Sequence, residues 1–95
     1  MIKVLFKAPG HSFVELMVKN ELKSFQGLVG GYIETVTMAK DVVIVCNEEG
    51  HMFDLPFNCE ICGAGFVGNI VVAGVSGDEF SDVPDAAKRI FASCI

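Results

Sequence analysis

A Cys-x-x-Cys pair is the part of the sequence best suited to chemistry. Cys59 and Cys62 have the spacing that lets two thiolates bind one tetrahedral zinc ion, a site that needs further ligands. His51 lies eight residues before Cys59 and is one candidate. The other candidates are Cys46, Cys94 and His11. Because this spacing matches no standard zinc module, we expect two packed thiols, no metal and no cofactor.

Two further patterns give little support for a reaction. Gly63, Gly65 and Gly68 read Gly-x-Gly-x-x-Gly, but a predicted strand follows where a dinucleotide site needs a helix. Glu48 and Glu49 are adjacent, so on an extended backbone their side chains point in opposite directions, which suits a carboxylate pair poorly. A Gly-x-Ser-x-Gly nucleophile motif does not occur. The sequence therefore predicts a protein that is not an enzyme.

The elements that position these residues follow from the apolar pattern. Alternating or continuous apolar runs predict strands over residues 2–7, 12–18, 32–38, 42–46 and 69–75. One helix is predicted to start at Asn20 and end at Gly30 and Gly31, and another to start over 81–84. Residues 47–69 are rich in Gly, Pro and Asn and predict a long functional or mobile loop.

These elements predict an α+β fold in a single domain over residues 1–95. We expect a mainly antiparallel sheet of about five strands, with one or two short helices packed on one face. A chain of 95 residues and 10.2 kDa has room for one core and no second domain.

The net charge of −5 comes from the second half of the chain. Residues 1–47 hold five lysines against four acids, whereas residues 48–95 hold two basic residues against eight acids. This balance argues against nucleic acid as a partner, because phosphate neutralisation needs clustered basic residues. The acids either form solvated loops or meet a basic partner.

Hydropathy and cysteine content suggest where the protein acts. The longest apolar run, 42–46, is far shorter than the ~20 residues of a membrane-spanning helix, so we expect no membrane partner. The N-terminus resembles no secretory signal, which predicts a cytoplasmic protein with reduced cysteines. An apolar fraction of 52% exceeds what so small a core hides, so we expect a homodimer through a sheet edge or an exposed patch.

Four segments together resemble one protein family. They are Leu-Val-Gly-Gly-Tyr-Ile-Glu at 28–34, Asn-Glu-Glu-Gly at 47–50, Leu-Pro-x-Asn at 55–58 and Gly-Asn-Ile-Val-Val at 68–72. In these segments the chain is similar to the domain of unknown function 3846 family of small bacterial and phage proteins, over about residues 2–75. The resemblance implies no known reaction, and it suggests a phage or mobile-element context.

The resemblance carries the family motif onto ten residues: Gly30, Gly31, Tyr32, Glu34, Asn47, Glu48, Glu49, Gly50, Pro56 and Asn58. The glycines and asparagines also suit turns, whereas exposed acids contribute little to folding. We therefore predict a binding site at Tyr32, Glu34, Asn47, Glu48, Glu49 and Asn58.

The predicted function is binding without catalysis. We expect the partner to be a host protein with a basic surface, because an acidic protein recognises such a surface by complementary charge. One alternative is a protein that binds or sequesters a nucleotide-like ligand, using the glycine loop at 63–68. The other is a zinc-stabilised module through Cys59 and Cys62, with His51 as a third ligand.

Overall fold

The structure is a computed structural model that describes residues 1–92 and therefore leaves Cys94 outside the described residues. Within this range the chain forms eight strands and two helices. The elements are β1 (Ile2–Lys7), β2 (Val14–Val18), α1 (Leu22–Val29), β3 (Ile33–Ala39), β4 (Val42–Asn47), β5 (Phe57–Ile61), β6 (Ala64–Val67), β7 (Ile70–Ser76), β8 (Glu79–Ser81) and α2 (Asp85–Ala92).

A six-stranded antiparallel sheet is the centre of the fold. Its main order is β2-β1-β7-β4-β3, and β8 pairs with the end of β7. β4 is buried along its whole length, and so are the first five residues of β7, because both strands have neighbours on two sides and covered faces. β5 and β6 form a separate two-stranded hairpin.

Different elements cover the two faces of the sheet. On one face α1 contributes Phe25 and Val29 to a core with Val43, Val45 and Val71. The opposite face is covered by the β5–β6 hairpin and by α2. Its core holds Leu5, Val42, Ile44, Cys46, Cys59, Ile61, Phe66, Ile70, Val72, Val83, Ala87 and Phe91.

The predicted α+β class, the antiparallel sheet and the two short helices are confirmed. The prediction that the helices share one face is wrong, since α1 and α2 lie on opposite faces. Helix α1 ends as predicted at Gly30, whose φ of 81° is left-handed and favours glycine. Its start differs, because Glu21 is the N-cap residue and the Asn20 amide instead donates to the Phe80 carbonyl at 2.8 Å.

The long loop predicted over 47–69 is wrong in its second half, where β5 and β6 form. Cys62 and Gly63 connect these strands, and both have positive φ, 52° and 83°. A two-residue connection of this kind matches the twist of an antiparallel hairpin. The second cysteine of the Cys-x-x-Cys pair is therefore a turn residue. The Gly-rich composition concealed a hairpin whose inward side chains, Ile61 and Phe66, cover the sheet.

Strand β8 was also not predicted. It pairs with β7 at Gly74, where an added Cβ would collide with the Asp82 carbonyl oxygen. Only glycine permits this close approach. Across residues 1–92, no helix has the length and apolar character needed to cross a membrane.

Candidate functional site

Asn47 is the residue that organises the predicted site. Its side chain is buried at the end of β4 and makes two hydrogen bonds. The amide Nδ2 donates to the Val29 carbonyl at 3.2 Å, and Oδ1 accepts from the Glu49 N–H at 2.8 Å. The last carbonyls of a helix have no partner within the helix, so Asn47 satisfies one of them. It thereby joins the end of α1 to the loop that follows β4.

Two neighbours complete this junction. The Asn69 amide donates to the Leu28 carbonyl at 3.0 Å and satisfies a second terminal carbonyl of α1. A Cβ added to Gly31 would lie 2.9 Å from Asn47 Nδ2, so glycine leaves the space that the asparagine fills. The Val-Gly-Gly motif and Asn47 therefore form one packed unit at the C-terminus of α1.

The loop at 48–56 is held by backbone hydrogen bonds. The Gly50 N–H donates to the Asn47 carbonyl at 3.2 Å, the Leu55 N–H to the Gly50 carbonyl at 3.0 Å, and the Gly68 N–H to the Pro56 carbonyl at 2.7 Å. Gly50 has no space for a Cβ, which would lie 2.8 Å from a Val67 methyl. The loop is thus a defined surface on which acidic and apolar side chains are displayed.

An acidic pocket lies between the end of the β3–β4 hairpin and β6. Glu34, Glu48 and His51 line it, together with Cys46 and β6 residues, and its volume is about 140 Å³. Glu34 pairs with Cys46 in the register of β3 and β4. The Glu48 N–H donates to the Tyr32 carbonyl at 2.8 Å, so the pairing of the two strands continues by one residue before β3 and one residue after β4. Side chains two residues apart share a face, which puts Tyr32, Glu34 and Glu48 on the side of Cys46.

Cys46 lines this pocket as a thiol. Its Sγ lies 3.7 Å from the Glu34 carbonyl oxygen and 4.0 Å from Glu34 Oε2. Burial, and secondarily the Glu34 carboxylate, raises the pKa of Cys46 from 9.0 to about 11. Both causes disfavour the thiolate. At neutral pH the side chain therefore keeps its proton and can donate a hydrogen bond to Glu34.

A larger cavity lies on the other side of Asn47. It has a volume of about 530 Å³, and its apolar lining comes mainly from Pro9, Val29, Phe53, Leu55 and Pro56. Asn47 lines this cavity as well as the acidic pocket. Neither lining includes a Lys or Arg among the described residues. Apart from His51 in the acidic pocket, these linings offer no basic side chain to a phosphate.

Asn58, another predicted site residue, has a structural role that sequence reasoning missed. It is buried, and its Oδ1 accepts from Lys7 Nζ at 2.6 Å. Its Nδ2 donates to the Lys7 carbonyl at 2.9 Å and to the Gly68 carbonyl at 2.7 Å. The Lys7 side chain is only 2% exposed. The sequence signal for this buried lysine is the position of Lys7, two residues after Leu5, which places both side chains on the core-facing side of β1.

The three cysteines among the described residues and His51 are not grouped into a metal site. Cys59 packs in the core, Cys62 is exposed at the hairpin turn, and His51 lies at the acidic pocket. In residues 1–92 no three His, Cys, Asp or Glu side chains are grouped closely enough to hold a metal ion. Cys94, a further candidate ligand, lies outside the described residues.

The predicted binding residues therefore divide into two groups. Tyr32, Glu34 and Glu48 are exposed around the acidic pocket, whereas Glu49 is half-buried and lines neither cavity. Asn47 and Asn58 are buried: Asn47 forms part of the wall of both cavities, and Asn58 supports the surface from within. Sequence reasoning did not find the apolar cavity, because its walls come from five separate parts of the chain.

Of the comparisons with known proteins, one found a match. No curated protein and no solved structure shows significant similarity to the chain. A family model described as Domain of unknown function (DUF3846) matches residues 2–94, nearly the whole chain. The protein belongs to this family.

Proposed function

We propose that the protein binds a partner protein, without catalysis, by receiving a segment that carries a basic side chain close to an apolar one. One observation carries this proposal: the acidic pocket and the apolar cavity share Asn47 as a wall. A ligand that spans Asn47 meets carboxylates on one side and an apolar surface on the other.

The acidic pocket suits a lysine or arginine of the partner. Glu34 and Glu48 are both exposed at its lining, and neither is in an ion pair with a described basic residue. Their charge is therefore available to an incoming cation. Exposed carboxylates of this kind speed association and make it salt-dependent more than they raise affinity.

Exposed apolar side chains near both cavities suit the rest of the interface. Tyr32 is 65% exposed and Phe57 is 64% exposed, and Met52 and Phe53 are also exposed. Aromatic residues and methionine are enriched at the centres of protein interfaces. Exposure of such residues beside a cavity indicates an interaction surface better than it indicates a solvated loop.

A host protein in the cytoplasm is the partner we propose, in the phage or mobile-element context that the family resemblance suggests. Complementary charge supports a basic surface on that partner. Cys46 and Cys62 form no disulfide within the described residues, which is in keeping with a reducing compartment.

The test is selection of binding peptides from a randomised display library on the immobilised full chain. We expect enriched peptides to carry Lys or Arg within a few residues of Leu, Phe or Met. Binding of one such peptide to the parent should weaken as the salt concentration rises. The double variant Glu34→Gln/Glu48→Gln should bind it roughly ten-fold more weakly and with less dependence on salt. Phe53→Ser should also weaken it, because Phe53 lines the apolar cavity.

A matched control separates site effects from net charge. Asp78→Asn/Glu79→Gln removes two exposed acids at the β7–β8 turn, away from both cavities. It should leave peptide affinity close to that of the parent. Equal losses in the two double variants, or no enrichment of basic residues, would contradict the proposed function.

A small ligand is the second candidate, favoured by the size of the apolar cavity. A volume of about 530 Å³ falls within the range typical of small-molecule sites, roughly 300–1,000 Å³. The lining lacks cations, so an uncharged, mostly apolar ligand fits better than a nucleotide. A thermal-shift screen discriminates, because a ligand at a hundred times its Kd stabilises by about 2.7 kcal/mol. Stabilisation by nucleotides instead would support the nucleotide alternative.

A further inference from the structure

β3 is an edge strand with one neighbour, β4. The hydrogen bond from the Glu48 N–H to the Tyr32 carbonyl identifies Tyr32 and Glu48 as a hydrogen-bonded pair of the ladder. Such pairs alternate along antiparallel strands, so the backbone groups of Glu34 and Val36 also point toward β4. The N–H and C=O groups of Ile33, Thr35 and Thr37 consequently point outward from the edge of the sheet, in its plane and away from β4.

The two edges of the sheet differ in how they are protected. β2, at the other edge, is shorter, and its Glu15 forms an ion pair of 3.2 Å with Lys88 of α2. Lys19 directly follows it. β3 has seven residues, one charge, no Lys and no Pro. Its protective features are the register shift between Thr37 and Ala39 and Lys40, which directly follows the strand beyond that shift, so neither lies within residues 33–37. An edge with so few protective features is a template for another strand.

We propose that β3 pairs antiparallel with β3 of a second copy of this chain, about a two-fold axis at Thr35. Thr35 then lies opposite Thr35 of the second copy, and Ile33 lies opposite Thr37. Both pairs join residues whose backbone groups point outward, as the hydrogen bonds require. All five paired residues, 33–37, precede the register shift.

The side chains of β3 are compatible with this self-pairing. Glu34 faces Val36 of the second copy, so the one charged residue never lies opposite its own copy. On the other face, Ile33–Thr37 and Thr35–Thr35 are β-branched cross-strand pairs, which stabilise antiparallel sheets. A two-fold interface must be complementary to itself, and residues 33–37 meet that condition. These features favour a second copy over an unrelated strand.

The experiment measures the molecular mass of the full chain in solution by light scattering after gel filtration. The parent should have about twice the chain mass of 10.2 kDa. Thr35→Pro removes an outward N–H and leaves the β3–β4 hydrogen bonds in place, so it should yield a folded monomer. Thr35→Val keeps the N–H and should remain a dimer. A monomeric parent, or a Thr35→Pro variant that remains dimeric, would overturn the proposal.

Cysteine cross-linking tests the register even if Thr35→Pro fails to fold. In a Cys62→Ser/Cys94→Ser background, Thr35→Cys should form a disulfide-linked dimer under mild oxidation, because opposed residues in a hydrogen-bonded pair lie about 5.5 Å apart at Cα. Thr37→Cys faces Ile33 of the second copy and should link slowly. Combining Ile33→Cys with Thr37→Cys should restore rapid linking. Equal rates for Thr35→Cys and Thr37→Cys would refute this register.

Discussion

The buried pair of Lys7 and Asn58 makes a large stability effect predictable from three distances. Asn58→Ala removes the acceptor 2.6 Å from the Lys7 ammonium and two amide donors at 2.9 and 2.7 Å. A hydrogen bond to a charged group contributes about 1.5–3 kcal/mol, and each neutral one about 1 kcal/mol. The expected loss in the free energy of unfolding is therefore about 4 kcal/mol.

That loss is large for a chain of this size. Stability of about 0.05–0.15 kcal/mol per residue gives roughly 5–14 kcal/mol for 95 residues. The melting temperature should fall by roughly 15–30 °C. The loss is severe because the buried Lys7 ammonium keeps only the Asn58 backbone carbonyl, at 3.5 Å, as an acceptor. Urea unfolding followed by far-UV circular dichroism measures the change.

A control and a rescue test the reasoning. Asn20→Ala removes a single exposed hydrogen bond to the Phe80 carbonyl and should lower the free energy of unfolding by only about 1 kcal/mol. Adding Lys7→Met to Asn58→Ala should restore part of the loss, because it removes the buried ammonium that has lost its acceptor at 2.6 Å. If Asn58→Ala is no more damaging than Asn20→Ala, or if Lys7→Met restores nothing, the buried ammonium does not control stability.

Other predictions concern the cysteines and one glycine. Iodoacetamide at neutral pH should alkylate exposed Cys62 well before Cys46, because the Cys46 thiol has a pKa of about 11. Mass spectrometry of the native protein measures the two rates, and equal rates would contradict this prediction. Because the folded protein holds the Cys46 proton more tightly than the unfolded chain, the free energy of unfolding should fall as pH rises from about 9 to about 11. Cys46→Ala should weaken that pH dependence in urea titrations. Gly68→Ala should destabilise more than Gly77→Ala in the same titrations, since both residues have positive φ but only a Cβ at Gly68 meets Leu55, at 2.7 Å; equal losses would refute this.

Local sequence pattern was sufficient for much of the fold. The continuous apolar run at 42–46 predicted a central strand covered on both faces, and β4 is that strand. Gly30 predicted the end of α1 because its left-handed conformation strongly favours glycine. These features depend on residues within a few positions of one another, so periodicity and conformational preference are enough to predict them.

Local sequence pattern did not predict the contacts between distant segments. The helices cover opposite faces because α1 and α2 pack against different sides of the same strands. The β5–β6 hairpin was hidden because its turn uses Cys62 at positive φ, a conformation that composition does not predict. In each case tertiary packing determined the result.

The site shows the same division. Residue types and motifs alone indicated an acidic, exposed surface at Tyr32, Glu34 and Glu48. The position of Asn47 between an acidic pocket and an apolar cavity became visible only in the folded chain. The same is true of the burial of Lys7 against Asn58, which lies 51 residues away in the sequence. Local patterns specify which side chains a strand or turn displays, whereas a shared wall or a buried ion depends on which distant segments pack together, and that follows from the whole core.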